Sequence, residues 1–361
     1  MKKLYALLAV VSTAVQGAVL VGDSARGAEV FKSQNCVTCH SVNGEGGKAG
    51  PDLGKRASRG YTPSELTSLM WNHAPAMWSA MEKANVAKPK LSSEQAADLF
   101  AYFYAARYFE RKGDAGRGRE AFAKGGCSEC HSISGGASSA GPAVAKWESV
   151  ADPIELSRQM WNHSGKMREA MKAKGMRQPQ LTAAEMNDIT VYLQNLPATR
   201  GMKPQFQPAA PDTGEMLFEL KGCRSCHRDA NALVKGPQFR GASDFAAGMW
   251  NHSAKMQQRA EIRPEEMKRL VGYLWALQFA NEGANAARGA KVFEAKGCGN
   301  CHGKGIAPVL ALGEKATSYE MIAVLWGHGP AMQKEMKAKG IAWPRFETAE
   351  MADLLAHLKG R

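Results

Sequence analysis

All eight cysteines of this 361-residue chain fall into one five-residue pattern repeated four times. The copies read Cys36-Val-Thr-Cys39-His40, Cys127-Ser-Glu-Cys130-His131, Cys223-Arg-Ser-Cys226-His227 and Cys298-Gly-Asn-Cys301-His302. The self-similarity reaches well beyond the motif, which is the mark of a repeated structural unit. Gly27, Gly118, Gly214 and Gly289 stand four residues before Phe31, Phe122, Phe218 and Phe293, and each Phe stands five residues before a first Cys. Downstream come Pro51, Pro142, Pro237 and Pro308, then Trp-Asn-His or Trp-Gly-His beginning at Trp71, Trp161, Trp250 and Trp326. Four residues after each of those His residues is a Met: Met77, Met167, Met256 and Met332.

The repeats divide the chain into units at 26–112, 113–200, 213–280 and 281–361. Residues 201–212 are rich in Pro and lack periodicity, so they read as a linker. The third unit is the shortest, lacking eight residues between its Met and its closing segment. Those closing segments (Leu99 to Phe103, Ile189 to Leu193, Leu270 to Leu274, Leu354 to Leu358) carry apolar residues at helical spacing. Ser92 and Thr182 are expected N-caps, with Glu94 and Glu185 in the first turn. The fold class expected is all-α: four tandem small helical domains. An apolar content of 44% excludes intrinsic disorder, and a mean hydropathy of −0.36 excludes a multi-spanning membrane protein.

At the N-terminus Lys2 and Lys3 precede an apolar stretch from Leu4 to about Gly22, followed by small residues. That is the layout of an export signal, taken here as residues 1–25 with the cleavage point open. The alternative is an uncleaved anchor. Either way the remainder is expected outside the cytoplasm, in the periplasm or an equivalent compartment.

Two thiols three positions apart on a helical turn can bond both vinyl groups of one haem, while the adjacent His reaches the iron. Cys-x-x-Cys-His is the attachment signature of c-type haem. The pairs Cys36/Cys39, Cys127/Cys130, Cys223/Cys226 and Cys298/Cys301 are therefore the expected thioether sites, with His40, His131, His227 and His302 as proximal ligands. Structural disulfides are the ordinary use of exported cysteines, but they need no His after each pair. Zinc would require pairs from separate units to converge tetrahedrally. A thioredoxin-like redox pair is expected with a βαβ pattern, which is missing here.

With these residues in view, each unit resembles a class I cytochrome c domain, through the Gly-x-x-x-Phe before the motif, the Gly-Pro loop after it and the closing helix. The resemblance covers nearly all of the chain after the signal. It implies four covalently bound c-type haems, and it implies that the first and last helices of each unit cross through the Gly and an aromatic residue, pairing Gly27 and Phe31 with Tyr102. It also implies that the carbonyls of Pro51, Pro142, Pro237 and Pro308 orient the proximal His residues. Two departures fall in the fourth unit: Ala307 replaces the Gly before Pro308 in a shorter loop, and His357 replaces the closing Tyr.

Each unit offers two candidates for the iron's other face. Met77, Met167, Met256 and Met332 are the expected ligands: they fit the family resemblance and occur in all four units, whereas Met81, Met171 and Met336 have no counterpart in the third. The alternative set is His73, His163, His252 and His328. Together with the proximal four they account for every His but His357. Asn72, Asn162, Asn251 and Gly327 tolerate positive φ, so the preceding helix is expected to end at Trp with a left-handed cap. Ala74, Ser164, Ser253 and Gly329, with Pro75, Gly165, Ala254 and Pro330 after them, are expected to open a new helix. The His would then sit in a break and the Met in the first turn beyond it.

The formal net charge of +13 falls to +11 once Lys2 and Lys3 are removed. Such a surface favours acidic redox proteins as partners, or association with an anionic membrane surface. An exported haem protein meets little nucleic acid, so none is expected as a partner, and the basic run 166–174 reads as a solvated helix face. The leading expectation is a tetrahaem electron-transfer relay outside the cytoplasm. The alternatives are an electron-accepting subunit of an oxidoreductase complex, or an enzyme with one open haem. No separate catalytic constellation is evident: all four units keep both distal candidates.

Overall fold

Each repeat opens and closes on a helix, and the two cross. The computed structural model describes residues 22–54, 62–108, 113–134, 140–147, 150–202, 213–235, 241–256, 260–279, 283–303, 305–313, 316–347 and 349–359. The expected linker beyond Met202, most of the export segment and Pro237 therefore lie outside the described residues. The first repeat carries α1 (Ser24–Ser33), α2 (Pro63–Lys83) and α3 (Ser93–Tyr108), and the second α4 (Ala115–Lys124), α5 (Pro153–Ala173) and α6 (Ala183–Gln194). The third carries α7 (Gly214–Leu220), α8 (Cys223–Cys226), α9 (Ala230–Val234), α10 (Ala242–Ser253) and α11 (Pro264–Gln278). The fourth carries α12 (Ala286–Ala295), α13 (Ser318–Ala338) and α14 (Glu350–Lys359). Among the described residues the only sheet is the hairpin of Ser41–Val42 with Glu45–Gly46. The all-α expectation holds, and the expected caps form: Thr182 and Glu185 make a reciprocal capping box, and Ser92 does the same with Gln95.

The crossing depends on glycine. A Cβ on Gly27 would lie 2.0 Å from the Asp98 carbonyl oxygen, and one on Gly118 1.9 Å from that of Asp188. Gly214 meets Arg269 at 2.4 Å and Gly289 meets Asp353 at 1.9 Å in the same way. Only a residue without a side chain lets the two backbones approach so closely. One turn along, the aromatic rings meet with centroids 5.7 Å apart for Phe31 and Tyr102, 6.0 Å for Phe122 and Tyr192, and 5.8 Å for Phe218 and Tyr273. In the fourth repeat His357 takes the Tyr position and packs on Phe293 at 5.6 Å.

A buried carboxylate fastens three of these crossings. Asp98 accepts from the Asp23 backbone N–H at 2.6 Å and from the Arg26 guanidinium at 2.9 Å. Asp188 does the same with Asp114 and Arg117, and Asp353 with Asn285 and Arg288. In the third repeat the polarity is exchanged, and Arg269 donates to the Thr213 hydroxyl at 2.8 Å. Gly22 and Asp23 thus belong to the first folded unit, four residues ahead of the boundary expected from repeat spacing.

The expected break at Trp-Asn-His does not occur. In three repeats one continuous 21-residue helix (α2, α5 and α13) runs through Trp, Asn or Gly, His and Met. In the third, α10 continues through His252 and ends at Ser253, leaving Met256 beyond its C-terminus. Pro75 and Pro330 lie inside their helices rather than at an N-terminus. The residues expected to cap a new helix pack instead: Ala74, Ser164 and Ser253 are buried, and a Cβ on Gly329 would sit 2.5 Å from the Trp78 ring.

The repeats do not pack in chain order. Helix α2 of the first lies on α13 of the fourth, and α5 of the second lies on α10 of the third. The first and third meet through Tyr104 on Trp275 at 5.1 Å and Phe100 on Phe279 at 5.2 Å. One apolar core consequently spans residues from Val30 to Trp326.

Candidate functional site

Every Cys-x-x-Cys-His forms a single tight turn. The N–H of His40, His131 and His227 donates to the carbonyl of the first Cys at 2.9 Å, and that of His302 at 3.0 Å. Each turn is launched by a residue in the left-handed region: Asn35 at φ 62°, Gly126 at 72°, Gly222 at 73° and Gly297 at 70°. In the first, second and fourth repeats the turn brings both thiols and the imidazole to one wall of a cleft. None of the eight cysteines is joined to another in a disulfide. Burial pushes Cys36 and Cys127 up to about 11 and raises Cys223 and Cys298 as well. A redox-active pair needs the opposite, a stabilised thiolate. Among the described residues no three His, Cys, Asp or Glu side chains converge on a common point, so the zinc reading lacks a donor set.

The proximal imidazoles are held by the loop that follows. His40 Nδ1 lies 3.0 Å from the Pro51 carbonyl oxygen, and His131 Nδ1 2.9 Å from that of Pro142. A Cβ on Gly50 or Gly141 would strike the imidazole at 2.5 or 2.6 Å, which explains the Gly before each Pro. The fourth repeat reaches the same bond, His302 to Pro308 at 2.9 Å, through a shorter loop that tolerates Ala307. The loop is tied at the same place in all three: Gly50, Gly141 and Ala307 donate to the carbonyls of Cys39, Cys130 and Cys301. An imidazole anchored at Nδ1 on a backbone carbonyl presents Nε2 as the free donor atom, the usual arrangement of a metal-bound His.

Opposite these walls run α2, α5 and α13, and in the third repeat α10 brings His252 to face His227. His73 and Met77 line the first cleft with Cys36, Cys39 and His40, and the cleft encloses about 360 Å³. His163 and Met167 line the second, and His328 and Met332 the fourth. The surrounding walls are apolar, as a porphyrin face requires. His73 Nδ1 lies 2.8 Å from the Leu69 carbonyl and His163 Nδ1 2.8 Å from that of Gln159, so the distal imidazoles are anchored like the proximal ones. The ring centroids of His227 and His252 are 5.6 Å apart, and those of His302 and His328, across the fourth cleft, 6.3 Å. Burial, with neighbouring His252, holds the His227 imidazole below its usual range, favouring the neutral form a metal needs.

Residues 24–104 and 115–197 match the family described as Cytochrome c, and residues 284–358 match the family described as Cytochrome C oxidase, cbb3-type, subunit III. The chain is a multihaem c-type cytochrome. Its cytochrome c domains bind haem covalently and serve haem-based electron transfer. Neither the curated proteins nor the solved structures contain a match to it. The thiols, the oriented imidazole and the apolar cleft are what covalent haem requires, so the residues fit the group.

Sequence reasoning missed what the Trp and Asn of the cytochrome's Trp-Asn-His triplets do. Asn72 donates to the Phe346 carbonyl at 2.8 Å and accepts from the Phe346 N–H at 2.9 Å. Asn162 does the same with Ile262, and Asn251 with Leu181. Beside them the indole N–H groups of Trp71, Trp161 and Trp250 donate to the carbonyls of Pro344, Ala260 and Pro179. The receiving segments share a sequence signal, an apolar residue two positions after Pro or Ala, just before the closing helix. The Arg–Asp fastening was equally visible, as an Arg before the Gly and an Asp four residues before the closing Tyr or His.

Proposed function

We propose that this cytochrome is a four-haem relay passing single electrons between redox partners outside the cytoplasm. Bound haem supplies the one-electron chemistry, and the protein supplies attachment, ligation and burial. The observation that carries the number four is the recurrence, in every repeat, of a helix crossing beside a Cys-x-x-Cys-His turn facing a distal His on a helix. Cys36/Cys39, Cys127/Cys130, Cys223/Cys226 and Cys298/Cys301 would attach the four groups. His40, His131, His227 and His302 would take the proximal positions, with Pro51, Pro142 and Pro308 fixing their tautomer and Pro237 assigned the same role by its place in the repeat.

For the sixth ligand we favour His73, His163, His252 and His328 over the four Met residues. The His is the distal candidate that a helix carries in all four repeats, since Met256 lies past the end of α10. Two imidazoles bound to one metal from opposite sides, each nitrogen about 2 Å away, have centroids roughly 6 Å apart. The separations of 5.6 and 6.3 Å agree with that. The Met residues then pack beside the ligand as polarizable filler. Bis-His ligation implies lower reduction potentials than His/Met.

No described helix is long and apolar enough to cross a membrane. Gly22 and Asp23 already pack on the first unit, and we read the apolar stretch before them as a removable export signal. A basic surface would meet acidic redox proteins, or the anionic face of a membrane. The test is near-infrared and magnetic spectroscopy of the oxidised protein. Bis-imidazole, low-spin signals without the sulfur-to-iron charge-transfer band support this ligation, and that band in any haem returns the sixth position there to Met.

A further inference from the structure

The helix that faces each cleft has two working sides. Successive residues advance about 100°, so the His, two positions after the Trp, points away from it. On α2 the own-cleft side carries His73 and Met77. The other side carries Trp71, Asn72 and the small residue Ala74, and it docks on the fourth repeat. The same division recurs on α5 and α10, which dock on each other, and on α13, which docks on α2.

The docked indoles do more than fasten. Trp71 lines the fourth cleft together with Cys298, Cys301 and His302, although it belongs to the first repeat. Trp326 of the fourth repeat lines the first cleft, and Trp250 of the third lines the second. Trp326 is buried, yet its indole N–H has no hydrogen-bond partner among the described residues. Its neighbour Gly327 lacks the amide that the other triplets use as a lock. This indole is therefore kept for the surface it presents to the first cleft rather than for a bond.

We propose that the Trp of each triplet walls a haem site belonging to another repeat, so that sites 1 and 4 form one coupled pair and sites 2 and 3 form a second. This rests on the four-haem reading above. The pairs join through the packing of Tyr104 and Phe100 on Trp275 and Phe279, which sets the spatial order as 4–1–3–2 rather than 1–2–3–4.

Haems held close together couple their Soret transitions and give a two-signed circular-dichroism band. Haem content by intact mass comes first: fewer than four groups in the natural product overturns the four-haem reading and says nothing against pairing among those present. With four groups bound, emptying site 1 by Cys36→Ala/Cys39→Ala is expected to remove about half of the band. Emptying site 4 as well should then remove nothing more, whereas emptying site 2 as well should abolish it. The reverse pattern, or no two-signed band in the natural protein, overturns the pairing. Because an emptied unit risks unfolding, Trp326→Phe gives a second measurement that loses no hydrogen bond. With four haems retained it should change the band by no more than the share of sites 1 and 4, and an unchanged band overturns the role of the indole.

Discussion

The indole N–H of Trp343 donates to the backbone carbonyl of Trp71 at 3.0 Å, across 272 residues of sequence. That carbonyl is the one that Pro75, four residues further along α2, has no N–H to serve. The two rings stack with centroids 5.0 Å apart, and Trp71 returns a bond to the Pro344 carbonyl at 2.8 Å. A proline inside a helix is thus tolerated because another repeat supplies the missing donor.

Replacing Trp343 with Phe keeps an aromatic ring but strands the Trp71 carbonyl. Asn72→Ala removes both bonds to Phe346. Each substitution should cost about 1–3 kcal/mol, measured by thermal or denaturant unfolding of the haem-loaded protein. No loss in either variant would show that the first and fourth repeats are not locked this way.

This lock also marks the limit of what the sequence displays. The Cys-x-x-Cys-His turns, the Gly and Phe of the crossing and the capped closing helices are local patterns, and each forms where its spacing places it. The triplet was misread because Asn favours left-handed caps and Pro favours the first turn of a helix, both local preferences. At Asn72 and Pro75 they are overridden by partners more than 260 residues away, which periodicity cannot reveal. The exchange of Asp for Arg269 in the third repeat was legible in principle, since its partner position changes to Thr213 at the same time.

Gly118→Ala should prevent α4 and α6 from closing, because the new methyl would overlap the Asp188 carbonyl. Overpacking of this kind costs about 1–3 kcal/mol or more, and here it separates the helices that enclose the second cleft. The mature variant is expected to lose stability and to carry one haem fewer by intact mass. Full loading with unchanged unfolding would contradict the crossing.

Acid should weaken the same crossings. Hydrogen bonds from Arg117 and Arg288 hold the carboxyls of Asp188 and Asp353 below the ordinary range. Glu266 is opposed by its burial, yet bonds from Arg263 and Lys221 hold it down at about 2. Groups depressed in the folded state bind fewer protons there than in the unfolded chain. Their stabilisation is therefore complete above the unfolded values near 4 and is lost as pH falls through the folded ones. Melting temperature should drop between about pH 4.5 and 2, and Asp188→Asn should be less stable at pH 7 with a shallower fall. An equally steep fall in that variant would remove Asp188 from the account.

The distal assignment separates two single variants. His163→Ala should open the second iron, so that the reduced protein binds carbon monoxide at about one haem in four. Met167→Ala should leave all four irons closed and the spectrum unchanged. Carbon monoxide binding in the Met variant instead would return the sixth position to sulfur.

The central claim is that each of the four Cys-x-x-Cys-His turns carries a covalent haem. Intact mass spectrometry of the exported, matured chain reads this directly, with peptide mapping to locate each addition. The account predicts four haem increments, one on each of Cys36/Cys39, Cys127/Cys130, Cys223/Cys226 and Cys298/Cys301, and no free thiols. A mature product with fewer increments, or with any of these pairs unmodified or joined as a disulfide, would contradict it.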